Sequence, residues 1–221
     1  MLAAPVARAA DDGASASAAD ETRLAAREVV TSIAAAATNN AAGGKQVLGA
    51  VLIAASPAEV WASWQDWENV SNFVSDLRYY KTVHVVRPET DKGEREALIE
   101  GVQEVGWFSA RFTLHVRFDR AALRQEWHLL TDDEMQAWRR QGVAVKDHSW
   151  PIRRIEGSGR LESRDDGRQT VFRYAPRVET ALPATGSMER RAAEKSVRAF
   201  LTGLRDKVEA ARQTKKVDGG G

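Results

Sequence analysis

Cysteine is absent from the 221 residues, which excludes disulfides, thiolate catalysis and zinc–thiolate sites. Net charge is nearly absent as well. With 32 basic against 31 acidic residues there is no electrostatic footprint for nucleic acid, and no such partner is expected. No apolar run approaches the roughly 20 residues that span a bilayer, so no integral membrane segment is expected, while transient membrane contact stays open. Histidine is scarce, and His84, His115, His128 and His148 share no metal-ligand spacing; neither metal nor other cofactor is expected. His115 and His128 fall on the polar phase of their strands, which predicts solvated surface. A phosphate loop, a Rossmann glycine pattern and a Ser-His-Asp order are all missing. His148 stands beside Asp147, but adjacent side chains rarely face each other, and no catalytic residue is assigned.

What the chain does have is a long amphipathic helix near its end, over residues 187–213. Ala193, Val197, Phe200, Leu204, Val208 and Ala211 recur at spacings of three and four, which places them on one helical stripe. Glu189, Arg190, Glu194, Arg198, Arg205, Glu209 and Arg212 fall on the other side. Ser187 can cap the helix, with Gly186 and Pro183 upstream. Such a helix is roughly 40 Å long, enough to cross a small domain. Gly203 costs about 1 kcal/mol inside a helix and suits a place where something lies close to its surface.

Residues 1–44 are alanine-rich. Ala7-Arg8-Ala9 has the small-residue spacing of a signal cleavage site, which leans toward export. Residues 20–37 are expected as a helix capped by Asp20, with Leu24, Val29 or Val30, and Ile33 on a loose apolar side. Asn39-Asn40 and Gly43-Gly44 end it, and the segment is expected to be peripheral.

The domain is expected over residues 45–213, followed by a flexible tail at 214–221. Residues 46–54 predict a strand. Ser56-Pro57-Ala58-Glu59 then opens a helix through a capping box, with Val60, Trp61, Trp64 and Trp67 along it. A second short helical piece covers 68–74. Strands are predicted at 77–86 and 94–105, with a turn or bulge at Gly106. The clearest strand is 108–118, where Phe112, Leu114, Val116 and Phe118 alternate with polar residues. Further strands cover 123–130, 155–163 and 169–178, the last two joined around Asp165-Asp166-Gly167. Strand, two short helices, about six strands and a long helix make an α+β fold, with the sheet covered on one face.

Ile53-Ala54-Ala55-Ser56-Pro57-Ala58-Glu59-Val60-Trp61, followed by Trp64, Asp66 and Trp67, resembles the opening of the START-like (SRPBCC) superfamily. That group includes polyketide cyclase/dehydrase-type proteins, coenzyme Q-binding START proteins and the Bet v 1-like helix-grip fold. Tyr174, Pro183 and the terminal helix fit the same pattern. The resemblance implies a curved antiparallel sheet wrapped around the C-terminal helix, with an apolar cavity between them. It supplies no catalytic set, since the superfamily shares a shape.

A departure is the segment 131–152. Thr131-Asp132-Asp133-Glu134 opens a short helix there, and Met135, Trp138 and Trp150 are expected as a lid over the cavity mouth. Gly157 and Gly159 share one strand phase and are expected to leave space inside the sheet. The expected cavity lining is Trp107, Phe112, Leu114, Val116, Trp127, Leu129, Gly157, Gly159, Phe172, Tyr174, Val197, Phe200 and Leu204. Three functions compete: a carrier or sensor of a hydrophobic small molecule (lipid, quinone or polyketide-like), a cyclase or aromatase, and a chaperone-like protein-interaction module. Oligomeric state is not legible.

Overall fold

The computed structural model describes residues 17–35, 45–74, 76–105, 108–181 and 186–218. In chain order its elements are α1 (Ala18–Ala25), β1 (Val30–Ala35), β2 (Lys45–Ile53), α2 (Pro57–Trp64), a 3₁₀ helix (Trp67–Asn72), β3 (Leu77–Arg87) and β4 (Glu94–Val105). Then follow β5 (Phe108–Asp119), β6 (Arg124–Leu129), α3 (Asp132–Arg140), β7 (Ile152–Arg164), β8 (Gln169–Thr180) and α4 (Gly186–Asp218). The strands form one open antiparallel sheet in the order β1-β2-β8-β7-β6-β5-β4-β3. From β2 the chain passes through α2 and the 3₁₀ helix to β3 at the far edge, and from β3 to β8 each strand pairs with the next. The expected features at Ala7-Arg8-Ala9, Asn39-Asn40, Gly43-Gly44, Gly106, Trp107 and Pro183 lie outside the described residues. No described helix is long and apolar enough to cross a membrane.

The capping signals act as their chemistry requires. Ser56 Oγ accepts from the Glu59 amide, while the Glu59 carboxylate accepts from the Ser56 amide at 2.8 Å, with Pro57 in the first turn. Thr131 and Glu134 form the same reciprocal pair at the start of α3. At the β7–β8 hairpin, Asp165, Asp166 and Gly167 all take positive φ.

On α4 the buried stripe is Val197, Leu201, Leu204 and Val208, spaced four, three and four. Burying each stabilises the fold by roughly 1.5–3 kcal/mol over leaving it exposed. Two details differ from expectation: Leu201 joins the stripe, and Ala211 is exposed. The helical backbone also continues to Asp218, through part of the expected tail. α4 packs chiefly on β2, with smaller contacts to β8, β1 and α2. A Cβ on Gly203 would stand 2.6 Å from the Phe73 carbonyl oxygen, so this glycine permits the close approach its position suggested.

The segment before residue 45 is the main correction. The expected helix over 20–37 ends at Ala25, and Val30–Ala35 is instead an edge strand antiparallel to β2. Val29, Val30, Thr31 and Ile33 are β-branched, stiff at χ1 and better packed on a pleated surface than on a helix. Ser17, not Asp20, is the N-cap; Asp20 supplies the capping-box carboxylate. Nor is the segment peripheral. Val29 joins the main core, and Leu24 and Val30 pack with Ala50 and Val171 in a second cluster. Arg198 of α4 donates to the Val29 carbonyl at 2.8 Å and to Thr31 Oγ1 at 2.9 Å.

The sheet is therefore covered on parts of both faces. Ala97 and Ile99 of β4 enter the main core, whereas Leu98 between them packs with Leu130, Met135 and Val145 on the opposite side.

Candidate functional site

Phe112, Leu114, Val116, Trp127, Leu129, Phe172, Tyr174, Val197, Phe200 and Leu204 all belong to, or pack against, one cluster between the inner sheet face and α4. Within it, burial separates two roles. Val116, Phe172 and Leu204 are sealed, whereas Leu129, Tyr174 and Phe200 are half-buried. Phe73, Leu77, Tyr80, Ile152 and Ala193 share the second condition and stand outside the expected cavity lining, although Ala193 was expected on the helix stripe.

Gly157 and Gly159 do not hold space open as expected. A Cβ on Gly157 would stand 2.5 Å from the Trp127 indole, and one on Gly159 would stand 2.6 Å from Trp64. Each glycine lets an indole lie flat on the strand, so the missing side chains are replaced by rings from elsewhere. Nor does either glycine face Gly203, which meets Phe73.

The half-buried aromatics converge. The Tyr174 ring stacks on Trp127 at 5.4 Å and lies 4.6 Å from Phe200. Tyr80 lies 5.2 Å from Trp67 and 6.1 Å from Phe112. Burial raises both phenols well above the usual tyrosine range, and the neighbouring Tyr174 raises Tyr80 further. Both are therefore neutral donors at ordinary pH. Neither phenol has a hydrogen-bond partner among the described residues, yet neither is among the polar atoms sealed without one. Both rings are half-buried, so each phenol keeps some accessible surface. Trp67 Nε1 and Gln125 Oε1, in the same interior, are sealed without a partner. A shallow depression between α2 and the end of α4, lined by Ala58, Ala62, Val208, Ala211 and Arg212, shares no phenol with this interior.

Tyr80 was missed because Tyr79 and Tyr80 are adjacent aromatics in a strand with register shifts. Strand alternation sends one to each face: Tyr79 bonds Glu100 on the outer side, and Tyr80 enters the core.

The lid does not form as expected. Met135 and Trp138 pack on the outer sheet face with Leu98, Leu130, Val145, Val83 and Val86, away from the aromatic interior. The physical reason is that Val83, Val86 and Leu98 present apolar side chains on that face and need cover. Trp150 is 54% exposed, and Ile152 just beyond it packs against the main core.

The outer face also collects the histidines. His115 and His128 lie on the polar phase as expected, but they are not simply solvated. His115 Nε2 is 3.0 Å from Glu96 Oε2, and His128 Nε2 is 3.0 Å from Glu134 Oε1. Burial holds His115 below the usual histidine range, helped by His128 and opposed by Glu96. The hydrogen bond from His128 brings the Glu134 carboxyl down to about 2, with further help from Thr131. The neighbours His148 and Asp147 separate: His148 Nε2 is 2.7 Å from the Leu130 carbonyl oxygen, and Asp147 pairs with Arg139 at 2.7 Å.

No protein-family model matches the chain, and comparison with curated proteins finds no match. Solved structures do match. A STAR-related lipid transfer protein from Xanthomonas axonopodis (fragment 25–204) is 13% identical with a TM-score of 0.59, covering 82% of this chain and 93% of that one. A START superfamily protein from Mycobacterium smegmatis is 17% identical with a TM-score of 0.56, covering 75% and 98%. The Zhui aromatase/cyclase from Streptomyces sp. R1128 is 14% identical with a TM-score of 0.54, covering 74% and 93%. At these identities the likeness speaks for architecture: the chain has the α+β helix-grip fold of START-like proteins, an antiparallel sheet gripping a long C-terminal helix.

Proposed function

We propose that this protein binds a small, mostly apolar molecule carrying an oxygen function, in the space between the inner sheet face and α4. The observation that carries this reading is the pair of enclosed phenols, Tyr80 and Tyr174, without partners among the described residues. An unpaired polar group inside a protein costs about 1–3 kcal/mol. A bound hydroxyl or carbonyl oxygen would relieve that cost, while Leu129, Phe73 and Phe200 offer apolar surface to the rest of the ligand. One structural neighbour is a STAR-related lipid transfer protein, which agrees with a carrier or sensor.

The same phenols favour a second reading, since neutral donors aimed at a carbonyl oxygen can stabilise an enolate during polyketide cyclisation. The aromatase/cyclase neighbour agrees with it. The two differ in turnover, which a carrier lacks.

Native mass spectrometry of freshly purified protein is expected to show a co-purified small molecule. Calorimetric titration with 1-naphthol and 1-methylnaphthalene separates the polar contact from the apolar one. Tyr80→Phe and Tyr174→Phe should each weaken naphthol binding about five- to tenfold, about 1–1.4 kcal/mol, and leave methylnaphthalene within twofold. Wild-type protein that carries no ligand and takes up neither probe would end the binding reading.

A further inference from the structure

The outer face of the sheet carries a cluster that an apolar ligand site does not use. His115 on β5 and His128 on β6 are directly opposed across the strand pair. Opposed residues have Cβ atoms about 4.5–5.5 Å apart, so register brings the two imidazoles together, with ring centroids 5.3 Å apart. A carboxylate flanks each of them. Glu134 Oε1, from the first turn of α3, is 3.0 Å from His128 Nε2, and Glu96 Oε2, from β4, is 3.0 Å from His115 Nε2. The donor atoms of His115, His128 and Glu134 all lie within 4.8 Å of one another.

We infer that His115, His128 and Glu134 form a binding site for a divalent transition-metal ion, with Glu96 or water in the fourth position. Two imidazoles and a carboxylate suit zinc. A tetrahedral zinc ion with bonds of about 2.0–2.1 Å sets its ligand atoms about 3.3 Å apart, so side-chain rotation alone closes the site. The carboxylates are already aimed. Glu134 Oε2 accepts from the Thr131 amide at 2.7 Å and from Thr131 Oγ1 at 2.9 Å, leaving Oε1 toward His128. Arg87 and Arg117 each lie 3.4 Å from Glu96 Oε1, leaving Oε2 toward His115. Such outer contacts orient ligands in metal sites generally.

Access is graded. His115 is 13% exposed and Glu96 10%, against 33% for His128 and 38% for Glu134, so an ion enters from the α3 side. Bound there, it joins β5 and β6 to α3 and clamps the inserted segment onto the sheet. The other two histidines serve as controls. His84 lies against the Trp138 ring at 5.5 Å, and His148 holds the Leu130 carbonyl.

The test is calorimetric zinc titration of tag-free, metal-stripped full-length protein, with cobalt absorption as a second readout. One zinc per chain is expected at micromolar affinity or tighter, with visible cobalt bands of low coordination number. At about a hundredfold excess over Kd, zinc should raise Tm by about 5 °C or more. His128→Ala, on the open side, should weaken binding at least tenfold, as should Glu134→Gln, while His84→Ala stays within twofold. Circular dichroism identifies any variant that fails to fold; the half-exposed His128 supplies the deciding measurement should Glu134→Gln lose its helix cap. Absence of zinc binding by wild type, or an unchanged affinity in folded His128→Ala, would overturn the site.

Discussion

The two faces of this sheet handle polar groups in opposite ways. On the inner face, Tyr80 and Tyr174 are enclosed by aromatic rings and offer their phenols to no described side chain. On the outer face, the buried carboxylates Glu96 and Glu100 are engaged by His115, Tyr79 and Lys146. Buried charge persists only when paired, and these two carboxylates find their partners on the chain itself. The inner phenols have no such partner among the described residues. The same alternation of β-strand residues thus builds a face of paired charges on one side and an aromatic face with unpaired phenols on the other. What distinguishes them is whether the covering elements bring complementary polar groups.

The largest expected effect concerns the cover itself. Removing residues 1–44 strips β1 from the edge of β2, along with Leu24, Val29 and Val30. Thermal unfolding should then show a Tm lower by about 10 °C or more. A fall of under about 3 °C would mean that this segment merely rests on the domain.

A smaller effect is expected from filling the inner face. Gly159→Ala places a methyl group 2.6 Å from the Trp64 ring, which is itself packed at 4.7 Å on Phe172. Overpacking of this kind costs about 1–3 kcal/mol, measurable by urea unfolding. If Gly159 instead faced open space, alanine would be neutral or stabilising.

The smallest effect, on the outer face, decides what the inserted segment does. Trp138→Ala removes a half-buried indole from the cluster around Leu98 and should cost about 1–2 kcal/mol of stability. Uptake of 1-methylnaphthalene should stay within twofold. A large change in uptake at unchanged stability would return Trp138 to the role of lid.

Much of this was legible in the residues because it rests on local chemistry. The α4 stripe, the two capping boxes, the Asp165-Asp166-Gly167 hairpin and the alternation of 112–118 are short-range patterns, each with one structural solution. The resemblance carried by Ser56-Pro57 and the tryptophans after it led to the right architecture. Failures occurred where a residue has two permitted partners. Val30 and Ile33 suit a loose helix or an edge strand, and only the free edge of β2 selects the strand. Met135 and Trp138 had to cover something apolar; whether that was a cavity mouth or Leu98 depends on where β4 lies.

The sequence by itself determined which segments are helix or strand where periodicity and capping agree, which phase of each strand is apolar, and that no thiol or local metal motif exists. The tertiary structure alone decided the long-range meetings: an indole against Gly157 and another against Gly159, Tyr80 near Tyr174, and His115 opposite His128 with Glu134 beside them. Their partners come from different strands and helices, so their positions depend on register and on the path of α2 and α3 over the sheet, which no local spacing encodes.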